Sequence, residues 1–193
     1  MASSKRKFET VGRMIAKKYR QPAKSLSTAI GELVWASNFA QGSFCLLFTH
    51  IVSPSDAAIG DEIWKALLKD SAQRDALLAA SNAASKPAMR SRVKWLHKMA
   101  GKLSAIRNDA VHTPIMFSTS SGGEITFEPF PISIADARHK RVTAYPDLKK
   151  TFRTARGDYV QLAFYAHALS QTFSDENAPW PRRPRLRSNL RHL

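Results

Sequence analysis

The stretch Ala105-Ile106-Arg107-Asn108-Asp109-Ala110-Val111-His112-Thr113-Pro114 ends a long amphipathic segment. Upstream, apolar residues recur at three- and four-residue steps, as on one buried helix face: Val93, Leu96, Met99, Leu103, Ile106 and Ala110. Pro114 stops a helix, because it has no backbone N–H and restricts the residue before it. The pattern predicts a helix over 89–111 with polar residues at its end.

Three of these polar residues are suited to phosphate chemistry. Arg107 offers a planar, two-pronged donor to phosphate oxygens, and His112 can accept or give a proton near neutral pH. Asn108 precedes His112 by four residues, so both lie on one helix face. We predict an active site in which His112 is the general acid or base and Arg107 binds developing negative charge. Asn108 would orient His112 or the phosphate.

The motif resembles that of the HEPN superfamily, whose ribonuclease members carry an arginine, a polar residue that is often asparagine, and a histidine a few residues later. The six residues from Arg107 to His112 fit that order in full, and the helical layout from Ser25 to Phe173 is loosely similar. The resemblance implies a bundle of HEPN type and a metal-independent endoribonuclease that leaves a cyclic phosphate. It also implies a homodimer with a composite cleft, and an antitoxin or regulatory partner in a toxin–antitoxin or defence system.

Two other places in the chain have the same spacing, from Arg92 to His97 and from Arg187 to His192. Arg92 lies inside the predicted helix, and Arg187 lies in a tail that has no apolar pattern. Only Arg107 combines a following asparagine with a packed helix end. The motif at Arg107 is therefore the one to which we assign the candidate site.

A non-catalytic module is the main alternative. The same basic bundle could bind RNA, DNA or a protein, with Arg107 and His112 as structural residues, since a protonated histidine near a helix C-terminus interacts favourably with the helix dipole. A DNA-binding regulator with a helix-turn-helix near Asp70 ranks below it, because the glycine-containing turn and polar recognition helix are missing.

The remaining apolar patterns predict an all-α fold. A helix capped by Ser25 or Ser27 should run to Ile51, and Pro54 should separate it from a helix that Asp56 begins. The tetrad Asp70-Ser71-Ala72-Gln73 has the form of a capping box, which predicts a bend before the chain continues through Leu78. The segment 79–88 should be a loose loop.

The chain changes character after Pro114. Two short apolar runs, 115–117 and 125–127, flank Gly122-Gly123 and predict a β-hairpin, followed by irregular structure to Pro146. Asp147 should open a last helix that runs to Phe173. The whole is predicted to be a four-helix bundle with a small β-hairpin insertion before the last helix.

Charge predicts a polyanionic partner. The 193 residues contain 30 Lys and Arg against 15 Asp and Glu, a formal net charge of +15. This excess favours RNA or another nucleic acid over a membrane. Lys98 and Lys102 lie on the helix that leads to the motif. They can draw a strand towards the site or form an ordinary solvated face.

Two further polar residues are candidate substrate contacts. Arg74 could contact phosphate, with a solvent-facing ion pair to Asp75 as the alternative. Asn38, which lies near Glu32 on the first helix, could reach the site or satisfy a neighbouring helix instead.

The sequence predicts no metal, cofactor or membrane span. The single cysteine, Cys45, stands in an apolar run and is expected in the core, and the six histidines lack ligand spacing. The apolar window 33–52 is interrupted by polar residues, and the basic N-terminus has no apolar run after it. These features predict a cytoplasmic protein.

The domain prediction has three parts. Residues 1–24 form a basic arm that Pro22 should close, residues 25–176 form the helical domain, and residues 177–193 form a Pro/Arg-rich tail. The arm could capture nucleic acid or be a solvated leader. The tail should be extended or disordered alone, and could bind nucleic acid or dock on a second subunit.

Overall fold

The computed structural model describes residues 2–84, 86–119, 122, 125–129, 137–175 and 178–188. Within these ranges the chain forms six helices and one two-stranded antiparallel sheet, which confirms the prediction of an all-α fold with a small hairpin before the last helix. The elements are α1 (Ala2–Val52), α2 (Ala57–Ala66), α3 (Asp70–Ala83), α4 (Pro87–His112), β1 (Ile115–Thr119), β2 (Ile125–Pro129), α5 (Ala137–Thr143) and α6 (Leu148–Ser174).

The core lies between α1, α4 and α6, with α2 and α3 packed against α1 and α3 also against α4. Its centre is made of large apolar side chains that are almost wholly buried: Leu33, Phe44, Leu47, Leu96, Leu103, Phe152, Tyr159 and Leu162. The inner face predicted for α4 is confirmed, since its apolar residues are buried, apart from Met99, which is partly buried. No helix in the described ranges is long and apolar enough to span a membrane.

The predicted break at Pro22 is wrong, because α1 passes through it as one helix of 51 residues. Proline removes one backbone donor and its ring crowds the carbonyl group four residues earlier, but its fixed φ is helical, so a helix can continue past it at that cost. The residues around Pro22 include alanine, lysine, arginine and glutamine, which favour helix.

The start of α2 is confirmed, since the Asp56 side chain accepts a hydrogen bond from Ala58 N. The capping box at Asp70-Ser71-Ala72-Gln73 is wrong. Asp70 is the first residue inside α3 and accepts a hydrogen bond from Arg107, while Gln73 donates to the carbonyl oxygen of Trp64. Both side chains bond to groups outside α3, so they do not make the reciprocal backbone hydrogen bonds of a capping box.

The segment 79–88 is not a loop for most of its length. α3 continues to Ala83 and α4 begins at Pro87, in the first-turn position where the missing N–H of proline is tolerated. The irregular structure predicted before Pro146 is also wrong in part, because α5 occupies Ala137–Thr143.

The hairpin pairs Ile115 with Pro129 and Thr119 with Ile125. Of its predicted Gly122-Gly123 turn, Gly123 lies outside the described residues, as do residues 130–136. α6 begins as predicted, with the Asp147 side chain accepting a hydrogen bond from Lys150 N.

The tail, described over 178–188, is extended and packs on its own bundle. Arg183 Nη2 donates to the carbonyl and hydroxyl oxygens of Ser91 on α4, at 3.1 and 2.9 Å. Further along, the backbone N–H groups of Arg187 and Ser188 donate to the two carboxylate oxygens of Asp158 on α6, at 2.8 and 2.7 Å. The end of the predicted tail, residues 189–193, lies outside the described residues.

Candidate functional site

The candidate site is the last turn of α4. The apolar face of α4 is buried through Ala110, and the helix ends where Thr113 N donates to Asp109 O at 3.1 Å. Pro114 follows at once, and β1 begins at Ile115. The motif thus stands on a packed helix end directly before the hairpin, as its sequence predicted.

Arg107 is directed towards α3. Its Nη2 donates to a carboxylate oxygen of Asp70, its Nε is buried without a hydrogen-bond partner in the described chain, and its side chain is 24% exposed. The guanidinium therefore bridges two helices, while part of the side chain stays accessible to solvent. An anion that binds Arg107 therefore competes with the Asp70 carboxylate for the guanidinium.

His112 has different surroundings. Its side chain is exposed and makes no hydrogen bond or ion pair with any residue in the described ranges. Asn108, half-buried, precedes it by one turn on the same helix face. Arg107 and His112 are five residues apart, which separates their directions by about 140° around the helix axis. Within one chain, Asn108 and His112 therefore lie on the same face of α4, whereas Arg107 lies on a different face and contacts α3.

Asp109 is the residue in the motif that sequence reasoning missed. It is wholly buried, and its carboxylate accepts hydrogen bonds from Arg141 Nε and Nη2 at 2.7 and 2.5 Å and from the Tyr145 hydroxyl at 2.7 Å. Arg138 Nε lies 4.0 Å from the same carboxylate. Asp109 therefore ties the end of α4 to α5 and to the turn that follows it, which fixes the position of the neighbouring Asn108.

A second polar contact joins α3 and α4 one turn from the Asp70–Arg107 pair. Arg74 is only 9% exposed, and its Nη1 donates to Ser104 Oγ at 3.1 Å, while the Tyr159 hydroxyl lies 3.4 Å from the same oxygen. The solvent-facing pair of Arg74 with Asp75 is wrong, because Asp75 contacts His97 Nε2 at 2.7 Å. Arg74 is placed at the helix interface rather than on the surface.

The other predicted contacts are scattered. Lys98 is exposed and Lys102 partly buried, and Lys98 lies two turns after Ser91 on the α4 face that carries the tail. Asn38 is exposed on α1. Its neighbour Glu32 forms an ion pair with Arg156 of α6 at 3.2 Å. No hydrogen bond or ion pair among the described residues joins Asn38 to the motif.

Cys45 lies on α1, beside Asp61 of α2. Cys45 is partly buried against the core with its Sγ 3.6 Å from Asp61 Oδ1, and burial, followed by this carboxylate, raises the pKa of the thiol. The described residues contain no group of three or more His, Cys, Asp or Glu placed to hold a metal ion.

Comparison with family models, with curated proteins and with solved structures finds no match to this chain. The resemblance to the HEPN superfamily therefore stays a prediction that rests on the motif and the helical layout.

Proposed function

We propose that this chain is a metal-independent endoribonuclease of HEPN type, acting in the cytoplasm. The observation that carries the proposal is the placement of His112, an exposed imidazole held at the end of a packed helix with Asn108 one turn away. A titratable group in that position can reach a ligand while its backbone stays rigid. The net charge of +15 supports a polyanionic substrate.

RNA supplies its own nucleophile for this reaction. The 2′-oxygen attacks the adjacent phosphorus, a new O2′–P bond forms, and the P–O5′ bond breaks to leave a cyclic phosphate and a free 5′-hydroxyl. One proton leaves the 2′-hydroxyl and one is delivered to the departing O5′. His112 would perform one of these transfers, with Asn108 orienting it or the phosphate.

Arg107 would stabilise the charge that builds on the phosphate oxygens. A guanidinium has five N–H donors, so a phosphate could share Arg107 with Asp70 or displace it. Because Arg107 and His112 diverge within one chain, we propose that two copies form a composite cleft in which motifs from both face one RNA. Light scattering coupled to gel filtration tests this homodimer, and a monomer at all concentrations would contradict it.

The biological setting is also a proposal. The resemblance to HEPN proteins suggests a toxin–antitoxin or defence system, with an antitoxin or regulatory protein that restrains cleavage. Expression of the chain in a bacterial host would test this, since an unrestrained ribonuclease should arrest growth while His112→Ala should not.

RNA binding without cleavage is the second candidate. The ion pair between Arg107 and Asp70 favours it, because that pair gives Arg107 a structural role that needs no substrate. In this case the basic surface would bind RNA, and His112 would be a solvent-exposed helix-end residue.

A cleavage assay separates the two functions. Purified protein is incubated in EDTA with single-stranded and structured RNA, beside Arg107→Ala and His112→Ala variants whose helicity is checked by circular dichroism. Cleavage by the parent alone supports the ribonuclease. Salt-sensitive binding of RNA by all three proteins without cleavage supports the binding module.

A further inference from the structure

An open cleft of about 470 Å³ lies between the first half of α6 and the packed tail. Its lining is strongly basic. Three cationic side chains come from α6 and two from the tail: Lys149, Lys150, Arg153, Arg185 and Arg187. A volume of this order suits a ligand, since binding clefts measure about 300–1,000 Å³.

The two carboxylates in the cleft form no ion pair with these five cations, and the lining keeps an excess of three positive charges. Asp158 is buried and accepts the backbone N–H groups of Arg187 and Ser188, and Asp147 accepts the backbone N–H of Lys150. Neither binds a lysine or arginine side chain of the cleft. None of the five cations pairs with a carboxylate in the part of the chain that the structure describes.

The shape of the cleft favours a strand over a single small anion. Its α6 side runs from Lys149 to Gln161, about 18 Å at the helical rise of about 1.5 Å per residue. Arginine forks bind phosphate oxygens in pairs, and lysines act as point charges. Cations spread along such a length from two chain segments match successive phosphates of one backbone.

The cleft lies at the same end of the bundle as the motif. α4 and α6 run antiparallel, because Trp95 packs on Tyr165 with ring centroids 5.4 Å apart, whereas Ser104, nearer the end of α4, contacts Tyr159, nearer the start of α6. The end of α4 that carries His112 is therefore level with the first turns of α6.

We propose that this cleft binds the phosphate backbone of single-stranded RNA. Arg153, Arg185 and Arg187 provide the forked contacts, and Lys149 and Lys150 add charge. The inference rests on the proposed function for the choice of RNA, and it names the surface that holds the strand. Asp158 acts as a positioning residue, because its carboxylate accepts two backbone N–H groups of the tail and so holds the segment that carries two of the arginines.

The test measures binding without cleavage. A labelled 2′-O-methyl RNA of about twelve nucleotides, within the site sizes usual for single strands, lacks the 2′-hydroxyl nucleophile and reports affinity by fluorescence anisotropy. The test variant carries Arg153→Gln, Arg185→Gln and Arg187→Gln, three exposed side chains whose replacement keeps the backbone contact to Asp158. The matched control carries Lys69→Gln, Lys94→Gln and Lys140→Gln, with the same charge change outside the cleft.

The test variant should bind at least about tenfold more weakly than the parent at about 0.1 M salt, and the control should stay within about threefold. The slope of log affinity against log salt should fall by about 2 in the test variant, since each phosphate contact on a single strand contributes about 0.7. Equal losses in both variants would overturn the inference, because binding would then follow net charge alone. Absence of binding by the parent would overturn it as well.

Two further measurements test which class of ligand the cleft binds and how the tail contributes. Inorganic tripolyphosphate or anionic lipid vesicles that compete as well as unlabelled RNA, at equal phosphate concentration, would contradict a strand-binding cleft. Asp158→Ala supplies the sharper test. It removes a negative charge, which by charge alone should strengthen RNA binding, but release of the tail should weaken it by several-fold; stronger binding would contradict the positioning role.

The outcome is independent of catalysis. If the cleft variant binds as the parent does while His112→Ala abolishes RNA cleavage, the inference fails and the proposed function stands. If the cleft variant loses binding and the parent cleaves no RNA, the inference stands and the ribonuclease fails.

Discussion

Arg107 of α4 donates to the carboxylate of Asp70 on α3, so the arginine of the motif is already paired in the free chain. The pair lies at the edge of the helix interface, with the two side chains 24% and 38% exposed. It stabilises the contact between α3 and α4 and also competes with any phosphate that approaches Arg107. The two roles make opposite predictions for a variant that removes the carboxylate charge.

Asp70→Asn should strengthen RNA binding and speed cleavage, because the guanidinium would no longer be neutralised by a neighbouring charge. The free energy of unfolding should fall by about 1 kcal/mol or less, the usual worth of a partly exposed ion pair. Anisotropy, cleavage rates and urea denaturation measure these effects. Asp75→Asn is the control, since Asp75 pairs with His97 instead. Unchanged RNA affinity and cleavage in Asp70→Asn would show that Arg107 acts only in the structure.

Asp109→Ala should destabilise the fold strongly. The variant leaves Arg141 and the Tyr145 hydroxyl without the carboxylate that they share, and loss of one partner in a buried pair costs about 3 kcal/mol or more. Glu32→Ala, which breaks an exposed pair with Arg156, should cost less than about 1 kcal/mol. Urea denaturation compares them, and similar losses would refute a structural role for the buried cluster.

Gly60→Ala should destabilise the contact between α2 and α1. A Cβ atom at Gly60 would lie 2.8 Å from Thr49 Cα and 2.9 Å from two side-chain atoms of Thr49, so the helices would have to separate. The expected loss is about 1–3 kcal/mol. Gly101→Ala has open space around its Cβ position and should stabilise α4 by up to about 1 kcal/mol. Thermal denaturation of both variants checks the signs, and a neutral Gly60→Ala would show that the helices do not meet there.

Stability should decline in alkali partly through Tyr145. Burial, and then the neighbouring carboxylate of Asp109, raise the pKa of its phenol in the folded chain. The unfolded chain loses this proton near pH 10 while the folded chain keeps it, so the stabilisation is complete below about pH 10 and lost above it. Each such proton contributes a slope of about −1.4 kcal/mol per pH unit.

Tyr145→Phe removes that contribution. The variant should be less stable than the parent by about 1 kcal/mol at about pH 8, because it loses the hydrogen bond to Asp109, and its stability should fall less steeply above about pH 10. Urea denaturation across this pH range measures both slopes. Tyr165, whose phenol also has a raised pKa because of burial, remains in both proteins and cancels in the difference. Parallel curves would contradict the assignment.

The end of α4 could be predicted because the signals that define it are local. The apolar periodicity predicts the buried face, and Pro114, which has no backbone N–H, follows directly after the last turn of the helix. The start of α6 at Asp147 is equally local, since the capping hydrogen bond reaches only three residues ahead.

The role of Asp109 could not be predicted, because its partners come 32 and 36 residues later in the chain. An aspartate beside an asparagine at a helix end looks solvent-exposed in sequence, and only the return of α5 buries it. The pairing of Arg107 with Asp70 is hidden for the same reason, across 37 residues. Distant charges of opposite sign are too common in a sequence to be matched without the fold.

The surface on which the tail packs could not be predicted, for a different reason. Backbone N–H groups of the tail donate to the Asp158 carboxylate, and the Arg183 guanidinium lies 5.9 Å from the centroid of the Trp95 ring. Such contacts leave no apolar repeat in the sequence. The composition of the tail correctly indicated an extended chain, but not the surface that binds it.

The measurement that tests the central proposal most directly is the chemistry of the RNA ends. Parent protein and His112→Ala, matched for helicity, are incubated in EDTA with a defined RNA oligomer and with its 2′-O-methyl counterpart, and the products are weighed by mass spectrometry. We expect new cyclic-phosphate ends from RNA with the parent alone, and an intact 2′-O-methyl strand in every reaction. Intact RNA with the parent, or equal cleavage by His112→Ala, would contradict the proposal.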